Sequence, residues 1–301
     1  MTFDLPGWCA SSLGSAPVEV FYERVSISSV HGVRLADGRE VYVKAREDDG
    51  RAFSCLAAQA ALASRGFPCP RPITPVVLVA GLAVHAEEPL PGGEMLLGSS
   101  PSVARRYAEV FARLMALLED VDVAPPLPNP RWSRWDHTDP GPWPSIGFLD
   151  SRDQSVVPEF VVDVAERLRK RLLATRLPCV LGHLDFEAQN LRWKDGEVWA
   201  VHDWDSLGWQ PEAALAGAAA GAFANASPPG LVPIESTAAF LETYQKCRGR
   251  RFTEEELEIA WAGSTWTAVH NARWEVLHGD PTPSGDAVRE QGAERLRLAG
   301  A

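Results

Sequence analysis

Leu181-Gly182-His183-Leu184-Asp185-Phe186-Glu187-Ala188-Gln189-Asn190-Leu191-Arg192-Trp193 leads, across the turn signal Asp195-Gly196, into Val198-Trp199-Ala200-Val201-His202-Asp203-Trp204-Asp205. These short apolar runs read as strands, and they carry polar groups inside them: Asp185, Asn190 and Asp203. A carboxylate set among apolar side chains is costly unless a cation or hydrogen-bond donors meet it. A magnesium-bound nucleotide would supply both.

Phosphoryl transfer asks for these residue types. One carboxylate must orient the attacking hydroxyl and accept its proton, while a second carboxylate and an amide oxygen hold Mg²⁺, which prefers hard oxygen ligands. His183, Asp185 and Asn190 fall in the H-x-D-x-x-x-x-N spacing of a protein-kinase catalytic loop, and Asp203 follows 13 positions after Asn190.

On these residues the chain resembles the aminoglycoside phosphotransferase and choline kinase-like family of small-molecule kinases. That family's loop reads close to H-G-D-x-x-x-x-N and is followed by an I-D-W segment; here Leu184 replaces the glycine and His202-Asp203-Trp204 the second motif. The resemblance implies Asp185 as catalytic base, His183 as a residue holding the loop, and Asn190 and Asp203 as Mg²⁺ ligands. Asp205 is a further metal or supporting group. The nucleotide is ATP, with GTP as the alternative. The fold implied is α+β and protein-kinase-like: a bilobal chain with a small antiparallel-sheet N-lobe carrying one helix and a larger, mainly helical C-lobe.

The resemblance extends upstream. Lys44, in Val41-Tyr42-Val43-Lys44, stands where such kinases keep the lysine that reaches the phosphates. Strand alternation puts Tyr42 and Lys44 on one face and Val41 and Val43 on the other. The nucleotide loop should lie between the first two strands, where Ser26, Ser28 and Ser29 stand in place of glycines. The hinge should fall at 87–93, with the backbone of Glu87, Glu88 and Leu90 along the base. The helix at 51–65 contains no glutamate to pair with Lys44, and Gln59 is the one long polar acceptor well inside it.

The rest of the chain fits this frame. Residues 18–45 read as strands, with a hairpin turn at Asp37-Gly38. A second hairpin reads across Gly81, and helices read over 103–118 and 157–174. Residues 124–150, rich in proline and tryptophan (Trp132, Trp135, Trp143), read as an ordered loop or a lid. Thr253 with Glu256 forms a capping box that opens a long helix toward His278, stopped by Gly279. The expected division is a nucleotide-binding lobe over 1–88 and a helical lobe over 89–301 with the catalytic loop and acceptor site.

The net charge of −11 repels nucleic acid and suits a cationic partner. The five cysteines are scattered and odd in number, which argues against a disulfide framework and for a reducing, cytoplasmic setting. The sequence reads as having no membrane span and no signal peptide. The expected partner is a small hydroxyl-bearing acceptor, with Glu212, Glu275 and Asp280 as candidate anchors for its positive charge, on a monomer or homodimer. Two other readings fit some of the residues. One is a nucleotide-binding module with little catalysis, prompted by the missing helix glutamate. The other is a metal-dependent hydrolase using the His183-x-Asp185 and His202-Asp203 pairs.

Overall fold

A computed structural model describes residues 3–25, 28–123, 127–226 and 229–301. The chain divides into two compact units, one of Met1–Gly93, Val121–Leu127 and Lys194–Asp205, the other of Glu94–Asp120, Pro128–Trp193 and Ser206–Ala301.

The first unit opens with a helix the sequence reading did not contain, α1 (Leu5–Leu13). Asp4 caps it by accepting from Gly7 N–H, and left-handed Gly14 ends it. Its signal is confined to these ends, since Gly7, Ser11 and Ser12 blur any apolar stripe. Strands β1 (Pro17–Val25), β2 (Ser28–Leu35) and β3 (Glu40–Glu47) precede α2 (Ala52–Ser64), then β4 (Val77–Val79) and β5 (Leu82–Glu87). They form one antiparallel sheet in the order β1-β2-β3-β5-β4. The Asp37-Gly38 turn joins β2 to β3 with Gly38 at φ 88°, a region open to glycine without a Cβ clash.

The alternation expected of β3 is present. Val41, Val43 and Ala45 enter a buried cluster with Val33, Leu35, Val84 and Ala86, which Trp8 and Cys9 of α1 cover. Lys44 is on the opposite face and shares it with α2, whose Ala52 and Leu56 pack on Ala83. The sheet therefore carries a helix on each face, not one helix in all.

In the second unit, α3 (Pro101–Leu118) is capped by Ser100 and buries Tyr107, Phe111, Leu114 and Leu118 on one stripe. After the short α4 (Gly147–Asp150) and α5 (Glu159–Ala174) come β6 (Cys179–His183), β7 (Leu191–Lys194), β8 (Glu197–Val201, in the first unit) and β9 (Leu207–Pro211). Helices α6 (Glu212–Ala222), α7 (Ile234–Cys247), α8 (Glu254–His278) and α9 (Pro283–Leu298) complete it. The Thr253–Glu256 capping box and the left-handed Gly279 bound α8 as expected.

Two contacts position the loop over His183–Asn190. Helix α6 crosses α8 so closely that a Cβ on Gly217 would lie 1.9 Å from Ala260 O, and one on Gly221 1.9 Å from Ser264 O. Phe186, inside the loop, is buried in an aromatic cluster against Tyr107 and Phe111 of α3.

Candidate active site

The first unit gathers cations and carboxylates on the Lys44 face of its sheet. Lys44 Nζ lies 2.8 Å from Glu87 Oε1. Gln59 of α2 donates to Glu87 Oε2 at 2.9 Å and to Pro70 O at 2.7 Å. Arg46, two positions after Lys44 and on the same face, donates to Asp205 Oδ2 at 2.6 Å and also pairs with Asp49. Arg51 donates to the Asp205 carbonyl at 3.0 Å.

The segment bearing Asp203 and Asp205 is pinned by Trp204. Its indole N–H donates to Val201 O at 2.9 Å and its ring meets Phe67 edge-on. Asp203 adopts φ 63°, a left-handed conformation that costs an ordinary residue roughly 1–2 kcal/mol and is less unusual for aspartate.

These groups set one another's charge. Burial pulls the Lys44 ammonium down, but Glu87, Asp205 and Asp203 together hold it above its ordinary value. Burial pushes the Glu87 carboxyl up, and Lys44 and the Gln59 amide hold it below the usual range. Burial and then Asp203, whose carboxyl hydrogen-bonds it, push Asp205 up to about 6 against the pull of Arg46 and Lys44. Two hard-oxygen carboxyls held in contact suit a divalent cation, which would relieve their repulsion.

The second unit builds the loop itself. Strand β6 pairs with β9, His183 opposite Leu207, and Leu184 N–H donates to Ser206 O at 3.0 Å. His183 is fully buried, and its Nδ1 accepts from Asp185 N–H at 3.2 Å. Buried behind the loop, His183 acts on its shape. A short 3-10 turn, Ala188–Asn190, returns Asn190 onto Asp185, where its amide donates to Asp185 Oδ2 at 2.8 Å and to Asp185 O at 2.9 Å. Leu184, in place of the glycine of the resembling family, is buried against Gly208 of β9. A Cβ there would lie 2.3 Å from Leu184 Cδ1, so Gly208 leaves the room that the Leu184 side chain takes.

Several sequence expectations change. Glu87 and Glu88 were expected to offer backbone to the nucleotide base. The Glu87 side chain, at the end of β5, turns to Lys44, and of the backbone groups Glu88 N–H is donated to Arg71 O at 2.8 Å. Leu90 follows, half-buried. Ser28, paired with Arg46, faces the Lys44 side. Ser29, paired with Ala45, is buried and donates to Ala45 O; Ser26 lies outside the described residues. Asp205, considered as a metal group, is engaged by Arg46. Glu212 is held by Tyr244, Arg248 and Arg250, and Glu275 accepts from the Ser284 and Gly285 N–H groups that open α9, so neither is open to an acceptor. Asp280 N–H donates to Glu275 O at 3.0 Å, just past the end of α8.

Sequence reasoning missed Glu87 as the partner of Lys44, and also Arg46 and Arg51. The period of β3 could have placed Arg46 beside Lys44. Nothing local could have supplied the β3–β5 register or the approach of Arg51 to Asp205.

A model of the phosphotransferase enzyme family (APH) matches residues 33–250. None of the curated protein sequences matches the chain. Among solved structures it is similar to the amicoumacin kinase hAmiN in complex with AMP-PNP, Ca²⁺ and Ami, with TM-score 0.63, 14% identity, and 95% of this chain and 89% of that one covered. It is also similar to a thermostable mutant of aminoglycoside phosphotransferase APH(4)-Ia in a ternary complex with ADP and hygromycin B, with TM-score 0.56, 13% identity, and 99% and 100% covered. A third likeness is to a candidate fructosamine-3-kinase from Thermobifida fusca YX-ER1, with TM-score 0.55, 16% identity, and 98% of each chain covered. At these identities the structures speak for a shared kinase-like fold, and the match over most of the chain speaks for descent. The chain belongs to the phosphotransferase enzyme family and is a small-molecule kinase.

Proposed function

We propose that the protein transfers the terminal phosphoryl group of ATP to a hydroxyl of a small, polar, cationic molecule. The observation that carries this reading is the half-buried cation–carboxylate cluster, in which Lys44 is kept charged by Glu87, Asp205 and Asp203. A half-buried ammonium held in that way is suited to nucleotide phosphates. Asp185 would orient the acceptor hydroxyl and take its proton, and the Asn190 amide fixes the carboxylate that does so. Asn190 and Asp203 are the proposed Mg²⁺ ligands, with Asp205 holding Arg46. Bound Mg²⁺ would neutralise phosphate charge. Phosphoryl transfer passes through a loose transition state, so Asp185 need not be a strong base and alignment matters most.

A cationic acceptor is favoured by the net charge of −11 and by neighbours whose structures contain hygromycin B and Ami. The five cysteines, none in a disulfide, fit a cytoplasmic enzyme. Among the described residues no helix is long and apolar enough to cross a membrane.

The test is nucleotide consumption against a panel of aminoglycosides, amino sugars, amino alcohols and peptide antibiotics, with Asp185→Asn and Asp203→Ala as controls. Asp185→Asn is expected to bind nucleotide and lose turnover, and Asp203→Ala to lose Mg²⁺-dependent nucleotide binding. Equal turnover by wild type and Asp185→Asn would overturn the assignment of the base. Magnesium-nucleotide binding with no transfer to any acceptor would favour the binding-module reading. The observation that prompted that reading, the absent helix glutamate, is answered by Glu87.

A further inference from the structure

We propose that Glu87, carried by strand β5, is the positioning residue for Lys44, with Gln59 of α2 as its neutral brace. The proposal rests on reading Lys44 as the phosphate-binding lysine.

The sheet register makes the pair. Strand β3 runs antiparallel to β5 with Tyr42 opposite Glu87 and Lys44 opposite His85. Glu87 is thus the diagonal neighbour of Lys44 on the same face, a separation that long side chains span. The contact closes at 2.8 Å with Glu87 only 3% exposed. A buried carboxylate needs donors at both oxygens. Lys44 satisfies Oε1 and the Gln59 amide satisfies Oε2, while the second N–H of Gln59 goes to Pro70 O. Every polar atom of this brace that can donate is used.

Helix α2, Ala-Phe-Ser-Cys-Leu-Ala-Ala-Gln-Ala-Ala-Leu-Ala-Ser, has no acidic residue, so the carboxylate comes from the sheet and the helix contributes only an amide. Lysine and glutamate are two strands of one hydrogen-bonded ladder, so the pair does not depend on helix α2 carrying a charge to it. Glu87 is the carboxylate in direct contact with Lys44, so it sets where the ammonium stands.

A double-mutant cycle of Lys44→Ala and Glu87→Gln tests this in the full chain, read by magnesium-ATP affinity and by kcat and KM for ATP, with thermal melts to verify folding. Glu87→Gln keeps an acceptor oxygen but removes the charge, and is expected to weaken ATP use by on the order of 10- to 100-fold. The KM for the acceptor should be unchanged. In the Lys44→Ala background the same change should have almost no effect, which a merely structural role would not produce. A loss of equal size in both backgrounds, or folded Glu87→Gln within about twofold of wild type, overturns the proposal. ATP binding indifferent to Lys44→Ala would instead refute the reading of Lys44. If Glu87→Gln does not fold, Gln59→Leu, which leaves both charges and removes the brace, enters the same cycle. A smaller loss that vanishes with Lys44→Ala supports the role, and a loss independent of Lys44 overturns it.

Discussion

Replacing Gly217 with alanine tests the crossing of α6 and α8 on which the loop over His183–Asn190 rests. The added Cβ would lie 1.9 Å from the Ala260 carbonyl oxygen and 2.7 Å from its carbon, where ordinary contact begins near 3.4 Å. Those atoms are helix backbone, so no side-chain rotation relieves the overlap, and the helices must part by about 1.5 Å. A gap of ~0.5–1 Å already forfeits a quarter to a half of a dispersion contact. Overpacking of this kind costs about 1–3 kcal/mol, and the better helix propensity of alanine returns up to about 1 kcal/mol. With rigid backbone as the obstacle, the net expectation is a loss of about 2 kcal/mol, or about 4–8 °C in Tm for a domain of this size.

Gly221, one turn on, meets Ser264 O at the same 1.9 Å. Both substitutions ask for the same helix separation, so the double variant should lose less than the sum of the singles. Leu215 of α6 also lies 2.5 Å from where a Cβ on Gly182 would be, one residue before His183. Displacing α6 should therefore lower kcat along with Tm. Calorimetry on the two single variants and the double decides the matter. An unchanged or raised Tm in Gly217→Ala would mean that propensity outweighs the clash, and would refute the close crossing.

Burial, with Arg273 nearby, pushes His270 of α8 down to about 4 from an ordinary 6.5. Between those values only the unfolded chain takes up the proton, so stability is full above pH 6.5 and falls by about 3 kcal/mol as pH drops toward 4. Melts from pH 7 to 4.5 should show a steeper fall in wild type than in His270→Leu, and parallel curves would contradict the assignment. Leu184→Ala leaves a cavity worth about 2–5 kcal/mol, and Gly208→Ala crowds Leu184. Combining them should recover part of both losses in Tm and kcat, whereas strictly additive losses would show that the two sites do not share the space. Glu275→Gln weakens the cap of α9 and should cost about 1 kcal/mol with the acceptor KM unchanged. A raised KM with unchanged Tm would return Glu275 to the acceptor site.

Where structure follows from a few consecutive residues, the sequence was enough. The Asp37-Gly38 turn, the Thr253–Glu256 capping box and the spacing of His183, Asp185 and Asn190 each act within a turn or two of chain, and each is found where expected. Helix α1 was missed because its evidence lies in a cap and a terminal glycine and not in an apolar period. Glu275 and Glu212 looked like open carboxylates because their partners, Ser284 and Arg250 among them, arrive from other turns and helices.

By itself the sequence determined the class of fold and the family, because hydrophobic period, turn chemistry and motif spacing are local properties. Tertiary structure alone decided how the charges pair. Lys44 meets Glu87 because antiparallel register brings together strands separated by a helix and a hairpin. Asp205 meets Arg46, and Leu184 finds its space over Gly208. Long side chains in a folded core choose partners by distance and desolvation, and neither quantity exists until the strands and helices have met.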